Sequence, residues 1–259
     1  MDDALTRTLP YGDRPITISG APGDPYAQSI TLDEPSALHY AALLLRAESH
    51  VIDIGANIGV TACVFARHTA APVYALEPSP VAFKHLCRTK DLSGANVVRP
   101  RQFAVGRTAG TAAFFDNPTT ASASHLVTAD TIGRDASAEV PMTTLDAFTA
   151  EEALPRLDLI KIDVEGFERE VLAGATDTLS RFAPRVLMEF NAFTLIGFAN
   201  QNPRTVLSEF RTLFPHLYAF DGMSPYAIAT DADVLALLNR TLLGEGCMTE
   251  LMGTFEPLP

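Results

Sequence analysis

The chain has 259 residues, 47% of them hydrophobic and 19% charged, which suits one large packed domain and excludes a disordered protein. Its 31 acids outnumber 19 lysines and arginines, leaving a formal net charge of −12. That balance argues against nucleic acid as a partner, since phosphates require a basic face, and equally against docking on an anionic membrane.

Residues 1–33 are rich in Pro, Gly and Asp and read as an irregular N-terminal extension with one short strand at Ile16-Thr17-Ile18. Asp2, Asp3, Arg7, Asp13 and Arg14 leave no signal-peptide core there, and the longest apolar stretch, 58–66, is too short to span a membrane. A cytoplasmic protein is expected. Cys63, Cys87 and Cys247 are odd in number and widely spaced, which fits neither a disulfide framework nor a zinc site.

Pro35 opens a helix with Leu38, Ala41, Ala42 and Leu45 at helical spacing. A strand at 50–54, a helix at 58–68 and a strand at 72–77 follow. Ser79-Pro80 reads as the N-cap and first-turn proline of a helix carrying Ala82, Phe83, Leu86 and Cys87 on one face. Strand three is expected at 96–99, with 103–105 extended beyond it and a further strand at 111–115. Residues 116–138 have no periodicity and read as a lid or substrate loop, with a disordered insertion as the alternative. A strand at 140–143, a helix from Thr144, a buried strand at 157–163, a helix near Phe167 and a strand at 185–190 come next. Asn202-Pro203 caps a helix with Val206, Leu207, Phe210, Leu213 and Phe214 on one stripe. Closing strands are expected at 217–220 and 227–229, and a last helix from Asp233. Leu251 to Phe255 could pack on a partner, as in a homodimer. The alternation of strands and helices predicts an α/β three-layer sandwich with a mainly parallel sheet.

The segment Asp53-Ile54-Gly55-Ala56-Asn57-Ile58-Gly59 places an acid and a glycine turn at the end of the first parallel strand. Gly55 and Gly59 would let a ligand approach the backbone, and ligands in such sheets bind beyond the carboxyl ends of strands. Glu77 follows 24 residues after Asp53 and is placed to accept both hydroxyls of a ribose. The dinucleotide fingerprint needs a middle glycine, where this chain has Ala56 or Asn57. An adenosine cofactor without pyrophosphate and with a cationic centre suits the turn better, which favours S-adenosylmethionine. Asp53 has an alternative reading as a helix-capping acid.

These residues, with Glu77-Pro78-Ser79, Thr144-Leu145-Asp146 and Ile160-Lys161-Ile162-Asp163-Val164-Glu165-Gly166-Phe167-Glu168, occur in an order that resembles the FkbM family of S-adenosylmethionine-dependent methyltransferases. The resemblance covers roughly residues 34–220. It implies a Rossmann-like class I methyltransferase fold with a seven-stranded sheet over 34–259, extended after about 220, and O-methylation of a sugar, glycan or polyketide hydroxyl. Carried over, Asp53, Gly55, Ala56, Asn57 and Gly59 surround the methionine part, Glu77 holds the ribose, Pro78 lies beside the adenine, and Gln102 and Phe103 are adenine neighbours. Asp163 closes the cofactor set.

Asp163 and Glu165 fall at and just after the tip of strand four, where an acceptor meets the cofactor; both can bind its hydroxyl, and one can act as base. Glu189 and Asn191 end strand five beside them as acceptor-binding groups. Asp163, Glu189 and Asn191 also form an alternative oxygen set for Mg²⁺, behind the preferred reading with no metal. His125 in the 116–138 loop is a further candidate base. Glu168 reads as a surface acid, and Lys161 as the partner of a nearby acid. The rival readings are a nicotinamide-dependent oxidoreductase and a non-catalytic cofactor-binding module.

Overall fold

A computed structural model describes residues 4–117, 124–127, 136–244 and 246–259. The chain opens with β1 (Leu5–Leu9) and β2 (Ile16–Gly20), an antiparallel hairpin, then α1 (Pro25–Ser29) and α2 (Ala37–Leu43). The central α/β run is β3 (Val51–Ile54), α3 (Val60–Phe65), β4 (Val73–Leu76), α4 (Pro80–Leu92) and β5 (Val98–Arg101). A small sheet follows from β6 (Ala104–Val105), β7 (Gly110–Phe115), β8 (His125–Leu126) and β9 (Ala138–Thr143). Then come α5 (Leu145–Glu151), β10 (Leu159–Ile162), α6 (Glu168–Ala173), α7 (Thr176–Phe182), β11 (Arg185–Asn191), α8 (Ala192–Gly197) and α9 (Pro203–Leu213). The chain closes with β12 (His216–Asp221), β13 (Ser224–Ala227), α10 (Asp231–Leu243) and β14 (Met248–Thr254).

The main sheet has the order β13-β12-β14-β11-β10-β3-β4-β5. β11, β10, β3, β4 and β5 pair in parallel, and β12 points the same way because two antiparallel steps through β14 separate it from β11. Every residue of β3, β4 and β10 is buried, which explains why they read as continuous apolar runs: helices cover both faces. The two faces divide the core by strand alternation. Ile52, Ile54, Ile160 and Ile162 pack in one cluster with Val171, Leu207 and Leu237; Val51, Val73 and Leu159 pack in the other with Ala41, Phe65 and Leu86. The expected three-layer α/β sandwich is therefore present. The order of strands turns back between β3 and β10, which opens a crevice at their carboxyl ends.

Local signals account for most helix starts. Ser79 caps α4 by accepting from the Ala82 amide, with Pro80 behind it; Asn202 caps α9 by accepting from Arg204; Thr144 caps α5. Differences lie at the two ends of the chain. The stretch read as irregular holds a hairpin and a helix, because Ile16 and Ile18 bury one hairpin face over α4. The sheet has eight strands, since the turn after Asp221 folds β13 onto β12. Leu251 is fully buried in β14, paired between Met188 of β11 and Ala219 of β12, so it is unavailable to a partner. The residues after 220 thus supply two strands of the main sheet. Of the expected 116–138 loop, 118–123 and 128–135 lie outside the described residues; His125, within it, pairs with Phe115 of β7 at the edge of the small sheet. No helix of the described residues is long and apolar enough to cross a membrane.

Candidate active site

One cavity of about 460 Å³ lies at the strand tips, and its wall includes Gly55, Ala56, Asn57, Glu77, Pro78, Phe103, His125, Asp163, Glu165, Glu189 and Asn191. The expected cofactor and acceptor residues are thus largely brought together. Asp53, Gly59 and Gln102 are not in that wall.

The turn after β3 is held from within. The Gly55 and Ala56 amides both donate to the Leu76 carbonyl, at 2.9 and 3.1 Å, and the Gly59 amide donates to Ala56 at 2.8 Å. Asn57 has a positive φ of 48° and donates its amide to Glu77 Oε2 at 2.8 Å, while the Ser79 amide donates to Glu77 Oε1 at 2.8 Å. Both glycines answer to the protein before any ligand. Gly55 has φ +77°, and a Cβ there would stand 1.8 Å from the Asp163 carbonyl oxygen; Gly59 has φ +88° and lies against Leu86 of α4.

Asp53 is fully buried beneath the turn and accepts the Thr61 hydroxyl of α3. Burial raises its pKa to about 6, with Lys161, the Thr61 hydroxyl and the Ala62 amide opposing the rise. Its other oxygen, Oδ1, is buried without a partner, as Asn57 Oδ1 is. Gln102 is exposed, so Phe103, packed on Phe148 at 5.6 Å between ring centres, is the residue of that pair in the wall.

On the far side of the cavity the groups are mostly acids. Lys161, opposite Asp53 in the β3–β10 register, gives its ammonium to Asp163 at 2.6 Å, the acid pairing expected for it. Burial works against that charge, but Asp163 and Asp53 outweigh it and hold Lys161 above its ordinary value. Glu189 stands opposite Glu250 in the β11–β14 register, and both line the cavity. The Glu165 and Glu189 carboxyls are held well above the carboxylate range, first by burial and then by neighbouring carboxylates. Glu165 adopts φ +54° ahead of Gly166 at +96°. The loop is clamped by Glu168, whose Oε1 accepts from the Val164 and Gly166 amides at 3.3 and 3.2 Å. Glu168 is buried, not the expected surface acid, and burial lifts it to about 7. Capping by Glu168 leaves Glu165 to face the cavity.

The oxygens of Asp163, Glu165 and Glu189 lie within 4.8 Å of one another. Asn191 does not join them as supposed for a metal: its carbonyl oxygen accepts from the Phe193 and Thr194 amides to cap α8, and its amide donates to Glu189 at 3.2 Å. His125 is buried in the wall, stacked on Phe198 at 4.2 Å between ring centres. Sequence reasoning missed Tyr26, Thr61, Met248 and Glu250 in the wall. Only the alternation of Met248 and Glu250 on one face of a strand was available as a signal.

These residues fit S-adenosylmethionine. Asn57 Oδ1 is buried without a partner, an acceptor waiting for a ligand donor. Four of the five amides of the turn at 55–59 are bonded within the protein, and the carboxyl-rich wall suits a cation. Residues 53–220 match the family model of the methyltransferase FkbM domain. The chain belongs to this family. Among curated relatives of this FkbM chain, the hexuronic acid methyltransferase AglP of Haloferax volcanii is 32% identical over 127 residues, 49% of this chain and 50% of the relative. The 31-O-demethyl-FK506 methyltransferase FkbM of Streptomyces tacrolimicus is 33% identical over 168 residues, 51% of this chain and 62% of the relative. The matches span about half to two thirds of the curated relatives' length. Among solved structures, a methyltransferase FkbM from Methylobacillus flagellatus aligns with a TM-score of 0.48 at 14% identity, over 83% of this chain and 47% of that one.

Proposed function

We propose that the chain is an S-adenosylmethionine-dependent O-methyltransferase acting on a hydroxyl of a small molecule, of sugar, glycan or polyketide type, in the cytoplasm. The observation that carries this reading is the cavity itself, whose wall joins Glu77 after β4 to the carboxyls of Asp163, Glu165 and Glu189 after β10 and in β11. The relatives named for hexuronic acid and for FK506 support the acceptor class. A dinucleotide would meet a turn with four of its five amides already bonded, and a binding module would have no use for clustered acids at the acceptor end.

When bound, S-adenosylmethionine supplies an electrophilic methyl group on a cationic sulfonium. Glu77 and Asn57 would hold that cofactor, with Asp53 beneath them bonded to Thr61 of α3. Asp163, Glu165 and Glu189 would bind the acceptor hydroxyl and orient its oxygen, and one of the three would take up the hydroxyl proton. Orientation of this kind supplies on the order of 7–11 kcal/mol in favourable cases. His125 stands in the same wall as a second candidate for the proton. The trio works without Mg²⁺ in this reading, because hydroxyl groups of the acceptor satisfy the carboxyls directly.

Titration calorimetry with S-adenosylhomocysteine, paired with transfer of labelled methyl to sugar and polyketide hydroxyls, tests the assignment. Binding and an ether product are expected, unchanged by EDTA. Absence of binding sinks the cofactor; loss of turnover with EDTA, restored by Mg²⁺, overturns the metal-free trio.

A further inference from the structure

Tyr26 lies on α1, ahead of the family-matched segment, yet its side chain forms part of the cavity wall. The segment that carries it is fixed at several points. Its amide donates to Asp24 Oδ1 at 3.0 Å, and Arg7 donates to the Ala27 carbonyl at 2.7 Å. Gly20 of β2 sits so close that a Cβ there would be 2.3 Å from the Ala27 Cβ. β2 is tied in turn to α4, with Ser19 bonded to His85 at 2.9 Å and the Ser19 amide donating to Thr89 at 2.9 Å. The segment that carries the ring is therefore held by the fold before any ligand enters.

Several side-chain donors in this cavity are already engaged by acids. The Lys161 ammonium is bonded to Asp163, the Thr61 hydroxyl to Asp53, the Ser124 hydroxyl to Asp116, and the Asn191 amide to Glu189. Tyr26 keeps its proton: burial raises its phenol, and Asp163 and Asp53 push the same way against Lys161. Tyr26 lines the same cavity as Gly55 after β3, Asp163 after β10 and Glu77 after β4. A donor cofactor with its ribose on Glu77 would bring its amino-acid part to the wall that holds Tyr26 and Asp163. Its carboxylate would meet a wall rich in acids there and would need a hydrogen-bond donor.

We infer that the Tyr26 hydroxyl is the hydrogen-bond donor that holds the carboxylate of the methyl donor's amino-acid part, an inference that rests on the methyltransferase reading. Tyr26 is thus a cofactor-binding residue contributed by the N-terminal hairpin segment.

Calorimetry on the full chain and its Tyr26→Phe variant, with S-adenosylhomocysteine and with 5′-methylthioadenosine, tests it. The second ligand keeps the nucleoside and lacks the amino acid. The variant should bind S-adenosylhomocysteine roughly ten- to a hundredfold more weakly, the range for a hydrogen bond to a charged group, and 5′-methylthioadenosine as the unaltered chain does. Equal affinity of both chains for S-adenosylhomocysteine overturns the inference, and so does an equal loss for both ligands, which would mean a packing defect. An unaltered chain that binds neither ligand overturns the methyltransferase reading first and this inference with it.

Discussion

At the scale of single residues, the site depends on carboxyls that hold their protons more tightly than usual. Glu165 and Glu189 face the same space with Asp163, and burial with mutual repulsion keeps both carboxyls above their ordinary range. A base with a raised pKa is protonated and idle at low pH and becomes active as the pH rises. We therefore expect kcat to climb with pH across the neutral region. Glu165→Gln and Glu189→Gln should each lower kcat by about 10²–10⁴, the range for losing a general base, with S-adenosylhomocysteine affinity little changed. Steady-state rates against pH check this, and a flat profile with normal turnover in both variants would remove the pair from the chemistry. Glu165 and Asp163 were legible in the sequence because they sit in one short block after a strand. The setting of Asp53 was not, because a string of residues does not reveal that it is fully buried and bonded to the Thr61 hydroxyl. Glu168 was misplaced for a similar reason: its position one turn into a helix does not reveal that the loop before it folds back over its carboxylate.

Elements decide what those residues can reach. The turn after β3 and the loop after β10 meet so closely at Gly55 that no side chain fits, and the positive φ adds to that constraint. Gly55→Ala should cost about 4 kcal/mol or more in urea unfolding, since the contact is with backbone and cannot relax cheaply. An unfolding midpoint equal to that of the unaltered chain would show that the two elements do not pack in this way. β14 makes the opposite lesson plain. Its sequence, with Thr249, Glu250 and Gly253 among apolar residues, gives no strong strand pattern, yet it runs between β11 and β12 in the sheet interior. Leu251→Ala should lose about 2–5 kcal/mol, as for a fully buried leucine, without altering the sedimentation of the folded protein. Sedimentation that changes while stability holds would return Leu251 to an interface. The helices were easier to read, since Ser79-Pro80 and Asn202-Pro203 carry their caps in the local sequence.

Over the whole molecule, among the described residues, buried acids outnumber buried cations, so folding and pH are linked. Glu77 and Glu168 are raised from 4.5 to about 7, and Asp53 from 3.8 to about 6, each chiefly by burial. The folded protein then holds these protons more tightly than the unfolded chain. The stability they contribute is complete below the unfolded values and is lost as the pH rises through the folded ones. The ligand-free protein should melt at a higher temperature near pH 5 than near pH 8, and Glu168→Gln should flatten that dependence. A melting temperature that rises between those pH values would contradict the burial of these carboxyls. The sequence by itself determined the alternating α/β order, the turn at Asp53 to Gly59, Glu77 and the Asp163–Glu165 block, because each is written in neighbouring residues whose spacing follows strand and helix geometry. Only the tertiary structure decided that Tyr26 and Glu250 complete the cavity, that Asp53 lies beneath it and that Glu168 clamps its loop. Those outcomes depend on segments far apart in the chain being packed together, and burial, which sets their charge and their partners, exists only once they are.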